Sequence, residues 1–142
     1  MLIRKATVED YAYIGAIIRD CLGYSCDDFV VKRKLSQVDM DREVVFVAEI
    51  DDKVIGYIHG DRFELLYMDS LINVLCLAVN EEYRKNGVGS ALLNQVEEWA
   101  KERGAVGIRL NSAMSRTSAH EFYRRMGFNK ERDQIRFLKI FS

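Results

Sequence analysis

The chain has 142 residues, 49% of them apolar and 30% charged, with a net charge of −1. That is enough for one hydrophobic core and one domain over residues 1–142, and it excludes a globally basic nucleic-acid binder. No apolar run approaches the ~18–20 residues that span a bilayer, and Arg4 and Lys5 fall where a leader would need its apolar stretch, so no membrane partner and a cytoplasmic location are expected.

Residues 2–6 predict a short strand. Thr7 offers a helix N-cap, with Glu9 and Asp10 suited to the first turn. Ile14, Ile17, Ile18, Cys21 and Leu22 follow at helical spacing, and a second helix is expected over 27–38. Residues 44–50 and 54–60 are β-branched, apolar runs around the polar Asp51-Asp52-Lys53, which reads as a hairpin turn. Residues 71–79 read as a central strand in spite of Asn73.

Val88, Ala91, Leu92, Val96 and Trp99 make one face of a helix that ends near Arg103-Gly104. Residues 106–110 are the next strand. Ala119, Phe122, Tyr123 and Met126 line a further helix stopped by Gly127. Residues 135–141 predict a closing strand, with a short extra strand near Phe128. The order implies an α/β (α+β) layer arrangement with a mixed sheet.

The cysteines Cys21, Cys26 and Cys76 are odd in number and contain no C-x-x-C pair. Neither a disulfide framework nor a zinc site is expected, and no metal ligand cluster is apparent.

The most informative segment runs from Leu77 to Ser90, where a strand enters a polar turn, then a glycine-containing loop, then an amphipathic helix. Unpaired N–H groups at a helix start, with the helix dipole, suit an anion. Gly87 and Gly89 permit close approach of the backbone, and Arg84 and Lys85 add positive charge. The string is not G-x-x-x-x-G-K-[ST], and Ala91-Leu92 after Gly89-Ser90 breaks G-x-G-x-x-G.

Arg84-Lys85-Asn86-Gly87-Val88-Gly89 is similar to the R/Q-x-x-G-x-G/A motif of the GCN5-related N-acetyltransferases. Downstream, the run from Ala119 to Phe128 resembles that family's A-x-x-F-Y-x-x-x-G-F helix. The element order agrees, so the resemblance covers nearly the whole chain. It implies a mostly antiparallel central sheet flanked by helices, with a splayed strand pair that admits acetyl-CoA as co-substrate.

By that resemblance, backbone groups of Leu77, Ala78 and Val79 pair with the pantetheine arm. Arg84, Lys85, Asn86, Gly87, Val88, Gly89 and Ser90 form the pyrophosphate loop, and Asn111 touches the pantetheine. Tyr123 protonates the departing sulfur, and amides near Val79 stabilise the oxyanion. Direct attack by a primary amine needs no nucleophilic triad.

Two departures from the family pattern stand out. Arg116 occupies the place, seven residues before the tyrosine, where many relatives carry asparagine, and the role of nearby His120 stays open. Asn73 stands where some relatives place a catalytic glutamate; it cannot be a base, but it can position water or substrate. Glu64 and Asp69 are then the candidate bases.

Residues 1–70 hold 14 acids and 9 bases, and residues 71–142 hold 8 acids and 12 bases. The basic half would hold the anionic cofactor, and the acidic half would attract a cationic amine on a small molecule, peptide or protein. The resemblance also raises a homodimer. The competing expectation is a catalytically inert acyl-CoA-binding sensor or partner module.

Overall fold

The computed structural model describes residues 1–141. They fall into two compact units, Met1–Asn111 and the part of Ser112–Ser142 that ends at Phe141.

The first unit contains β1 (Leu2–Lys5), α1 (Tyr11–Ile17), α2 (Asp28–Ser36), β2 (Glu43–Ile50), β3 (Lys53–Phe63), β4 (Leu71–Val79), α3 (Val88–Glu102) and β5 (Gly107–Leu110). The five strands form one sheet in the order β1-β2-β3-β4-β5. The first three pairings are antiparallel and β4–β5 is parallel. This is the mixed sheet that the element order implied, mostly antiparallel as the family resemblance implied.

Local chemistry explains the elements. The Thr7 amide donates to Asp10 Oδ2 at 2.8 Å as the chain enters a helical turn at Val8–Asp10. Asp27 caps α2 by accepting from the Phe29 amide at 2.8 Å. Ile50 pairs with Lys53, so Asp51 and Asp52 (φ 50° and 64°) form a two-residue hairpin turn of the kind that suits the right-handed twist of its strands.

The sheet has two covered faces. Val45, Val47, Val54, Tyr57 and Ala78 pack with Ile14, Ile17 and Val31 from α1 and α2. On the other face α3 lies close to the strands. A Cβ at Gly56 would stand 3.2 Å from the Ala78 carbonyl and 3.4 Å from Leu92 Cδ1, so this glycine lets helix and sheet meet. Ile17, Ile58, Ile72, Leu92 and Val96 are all under 2% exposed, each contributing about 1.5–3 kcal/mol of apolar burial.

The second unit contains α4 (Thr117–Arg125), whose Tyr123 ring stands edge-on to Phe122 at 5.3 Å and Phe128 at 5.8 Å. The strand expected over 135–141 is not formed, nor is the short strand near Phe128: residues 129–141 join no ladder among the described residues. Ile135, Phe137, Leu138, Ile140 and Phe141 are 71–86% exposed. Apolar, β-prone composition favours a strand only where a neighbour accepts its hydrogen bonds. No helix among the described residues is long and apolar enough to cross a membrane.

Candidate active site

The β4 strand pairs with β3 along nearly its whole length, but with β5 only from Leu71↔Gly107 to Val74↔Leu110. From Leu75 to Val79 its other side pairs with no strand among the described residues, leaving an unpaired ladder edge. Alternate N–H and C=O groups along such an edge are available to an extended ligand. The opening begins at an irregularity: Val74 faces Gly60, Cys76 faces His59, and Leu75 is unmatched. This β-bulge re-aims the strand where the parallel pairing ends. Leu77, Ala78 and Val79 lie on the open stretch, and Asn111 follows the end of β5.

Past Val79 the chain turns sharply. The Asn80 amide donates to the Ile55 carbonyl at 2.8 Å, and Arg84 Nε donates back to the Val79 carbonyl at 3.1 Å. Arg84 therefore braces the loop against the strand it left. Lys85 (φ 67°) and Gly87 (φ 78°) both sit in the left-handed region. For Gly87 this needs no strain; Lys85 accepts it although nothing in its residue type calls for it.

The first amide of α3 bonded to this loop is that of Ala91, which donates to the Gly87 carbonyl at 3.0 Å. The amides of residues 85–90 find no acceptor among the described residues. A run of free N–H groups, two left-handed residues and a helix dipole together make an anion-binding concavity. A pyrophosphate fits these donors. Nothing lies within 4 Å of a Cβ built on Gly87, so the loop is open on that side.

A polar row crosses the sheet beside the bulge. Glu43 pairs with Asp61, Asp61 with Asn73, and Asn73 with Arg109, which places all four on one face. Asn73 Nδ2 donates to Asp61 Oδ1 at 3.3 Å, and Arg109 Nη1 donates to Asn73 Oδ1 at 2.7 Å. Arg109 Nη2 also donates to Asn111 Oδ1 at 3.0 Å, and its guanidinium stacks 4.4 Å above the Phe63 ring. Both ends of the Asn73 amide are thus engaged, and Arg109 ties Asn73 to Asn111.

His59 belongs to the same face, and its Nε2 lies 2.8 Å from Glu43 Oε1. The His59 and Glu43 side chains are each about one-third exposed. This pair was missed in the sequence, because its members are far apart in the chain and meet only through β2–β3 register. The available signal was the change along β3 from Tyr57 to His59 and Asp61 at alternate positions, which turns one apolar face polar.

Further along that face, the Tyr57 hydroxyl donates to Cys76 Sγ at 2.9 Å. Burial first, then the adjacent thiol, pushes the Tyr57 hydroxyl above the usual phenol range. Glu64 and Asp69 are exposed on the connection between β3 and β4, away from hydrogen bonds with the described residues.

In the second unit, His120 Nε2 bonds the Ala113 carbonyl at 2.8 Å, and the Arg116 carbonyl accepts the His120 amide at 3.1 Å. His120 therefore fastens the turn before α4, and Arg116 serves as its N-cap position. Among the described residues, no group of three or more His, Cys, Asp or Glu is placed to hold a metal ion.

The sequence model described as the Acetyltransferase (GNAT) family matches residues 12–128. An N-alpha-acetyltransferase of Sulfurisphaera tokodaii is 35% identical over 137 residues, covering 90% of this chain and 80% of that protein. An uncharacterized N-acetyltransferase of Methanocaldococcus jannaschii is 29% identical over 93 residues, covering 64% of this chain; the chain spans only 41% of that relative's length. Among solved structures, AAC(6')-Iy in complex with the bisubstrate analog CoA-S-monomethyl-acetylneamine superposes with a TM-score of 0.83 at 17% identity, covering 98% of this chain and 97% of that one. At that identity the likeness establishes the fold.

Proposed function

Since this chain belongs to the acetyltransferase (GNAT) family, we propose that it is an acetyl-CoA-dependent N-acetyltransferase, one domain over residues 1–142, acting on a primary amine in the cytoplasm. The observation that carries the reading is the open β4 edge running directly into a loop of free amides at the start of α3. The CoA-derived analog bound by the structural neighbour AAC(6')-Iy and the N-alpha-acetyltransferase relative support it.

In this reading the backbone of Leu77, Ala78 and Val79 takes the pantetheine arm, and the amides from Lys85 to Ser90 take the pyrophosphate. Asn111 contributes at the end of β5. The amine nitrogen attacks the thioester carbonyl directly, and amides near Val79 hold the oxyanion. Tyr123 gives its proton to the sulfur as the C–S bond breaks. Glu64 and Asp69 remain open to solvent and available to an incoming cation, while Asn73 shapes the floor rather than moving a proton. A homodimer belongs to the same reading, with the exposed apolar residues of 135–141 as the surface it would bury. The second reading, an inert acyl-CoA-binding module, draws on the amide rather than carboxylate at Asn73.

The placement is tested at the loop. Gly87→Glu puts a side chain into a left-handed position and a negative charge against the pyrophosphate. Acetyl-CoA affinity by calorimetry is expected to drop at least about a hundredfold, ~2.7 kcal/mol. Unchanged affinity in a folded variant contradicts the placement.

A further inference from the structure

We infer that His59, oriented by Glu43, is the general base that deprotonates the acceptor amine, and that Asp61 helps to hold that amine as its ammonium ion. The inference rests on the acetyltransferase reading above and supplies the proton acceptor that Asn73 cannot be.

The geometry carries it. Glu43 can only accept a hydrogen bond while ionised, so its 2.8 Å contact assigns the ring proton to His59 Nε2. The neutral imidazole then keeps its lone pair on Nδ1. No described residue hydrogen-bonds Nδ1, so that lone pair is available to a substrate proton. A carboxylate fixing the tautomer and orientation of a histidine is the arrangement that makes imidazole an effective base.

Position agrees with chemistry. His59 faces Cys76 across the ladder at the bulge, where the β4 edge becomes open. Asp61, two residues on, shares its face. The charged and titratable groups on that face are Glu43 from β2, Tyr57 and Asp61 from β3, Cys76 from β4 and Arg109 from β5, with Arg4 of β1 and Glu49 of β2 further along it and paired with each other. Arg109 is occupied by Asn73, Asn111 and the Phe63 ring. The two carboxylates nearest His59 therefore favour a cationic amine, and the His59 and Glu43 side chains, each about one-third exposed, are reached by solvent.

The protons balance. The ammonium loses one proton to Nδ1, and the free amine forms the C–N bond at the thioester carbonyl. The second nitrogen proton goes to solvent as the tetrahedral intermediate collapses, and solvent restores the proton that Tyr123 gives to the sulfur. The C–S bond breaks, the thiolate leaves as CoA thiol with one proton, and the histidinium returns its own to solvent.

The experiment compares wild type, His59→Gln and Glu43→Gln with spermidine, kanamycin, an alanine-initiated peptide and hydroxylamine as acceptors. Hydroxylamine is uncharged at neutral pH and needs no prior deprotonation. For the best protonated amine, His59→Gln is expected to lower kcat/KM about 10²–10⁴-fold, with acetyl-CoA affinity unchanged by calorimetry and a much smaller loss for hydroxylamine. Glu43→Gln removes the carboxylate that orients the ring, so it is expected to lower kcat/KM for the protonated amine in the same direction, again with a much smaller loss for hydroxylamine. Unchanged kcat/KM in folded His59→Gln overturns the inference while leaving the acetyltransferase reading intact. So does an equal loss for hydroxylamine and the protonated amine. If His59→Gln does not fold, unchanged kcat/KM for the protonated amine in folded Glu43→Gln overturns it. A wild type that acetylates none of the four acceptors defeats the acetyltransferase reading itself, and this inference with it.

Discussion

Arg4 and Asp10 show how much one residue pair can decide. Asp10 is almost buried, yet it receives both terminal nitrogens of Arg4 at 2.8 and 2.9 Å and the Thr7 amide. Burial alone would raise its pKa, but these hydrogen bonds outweigh that and hold the carboxyl below its ordinary value. A depressed carboxylate pKa adds stability above the unfolded value and loses it as pH falls through the folded one. Asp10→Asn is expected to cost about 1.5–3 kcal/mol in urea unfolding at pH 7. The gap from wild type should stay constant above about pH 5 and narrow below about pH 4; a gap that widens in acid would contradict the assignment. Glu9 and Asp10 were legible as first-turn acids, but the tie to Arg4 was not, since it depends on β1 lying beside the turn. Asn73 was legible as a departure at a catalytic position; that both ends of its amide are engaged follows only from strand register. For Tyr123, the proposed acid, Tyr123→Phe keeps the ring between Phe122 and Phe128. Turnover is expected to drop roughly ten- to ten-thousand-fold with little change in acetyl-CoA affinity, checked beside circular dichroism. Wild-type turnover would make the residue structural.

At the scale of elements, the long periodic segments were the readable ones. The α3 face of Val88, Leu92, Val96 and Trp99 is buried as its spacing required, and residues 71–79 form β4 over that span. Leu92 is fully buried against the sheet near Gly56. Leu92→Ala is expected to cost about 2–5 kcal/mol, measured by denaturant titration; a loss under about 1 kcal/mol would mean that the α3–sheet contact is looser than described. Features set by pairing escaped the sequence: the bulge at Leu75, the early end of the β4–β5 ladder and the left-handed Lys85. The strand expected over 135–141 failed for the same reason, because propensity cannot supply a partner.

For the whole molecule, two short motifs and the element order were enough to point to the family, because the loop and the α4 signature recur at fixed places in one topology. The charge asymmetry, −5 for residues 1–70 and +4 for residues 71–142 by the counts above, has a structural counterpart. Glu43 and Asp61 lie on the strand face beside α1 and α2, whereas Arg84 and Lys85 lie in the loop before α3. One half is thus suited to a cation and the other to an anion, although salt screens such exposed fields beyond ~8–10 Å. In the proposed function these surfaces serve one reaction, transfer of acetyl from CoA to an amine. The most direct measurement is continuous detection of CoA thiol released from acetyl-CoA, with and without spermidine, kanamycin or an alanine-initiated peptide, accompanied by mass spectrometry of the acceptor. Amine-dependent thiol release and an acceptor heavier by one acetyl group are expected. Tight acetyl-CoA binding with no amine-dependent release across the acceptors would contradict the proposed function and leave a binding module in its place.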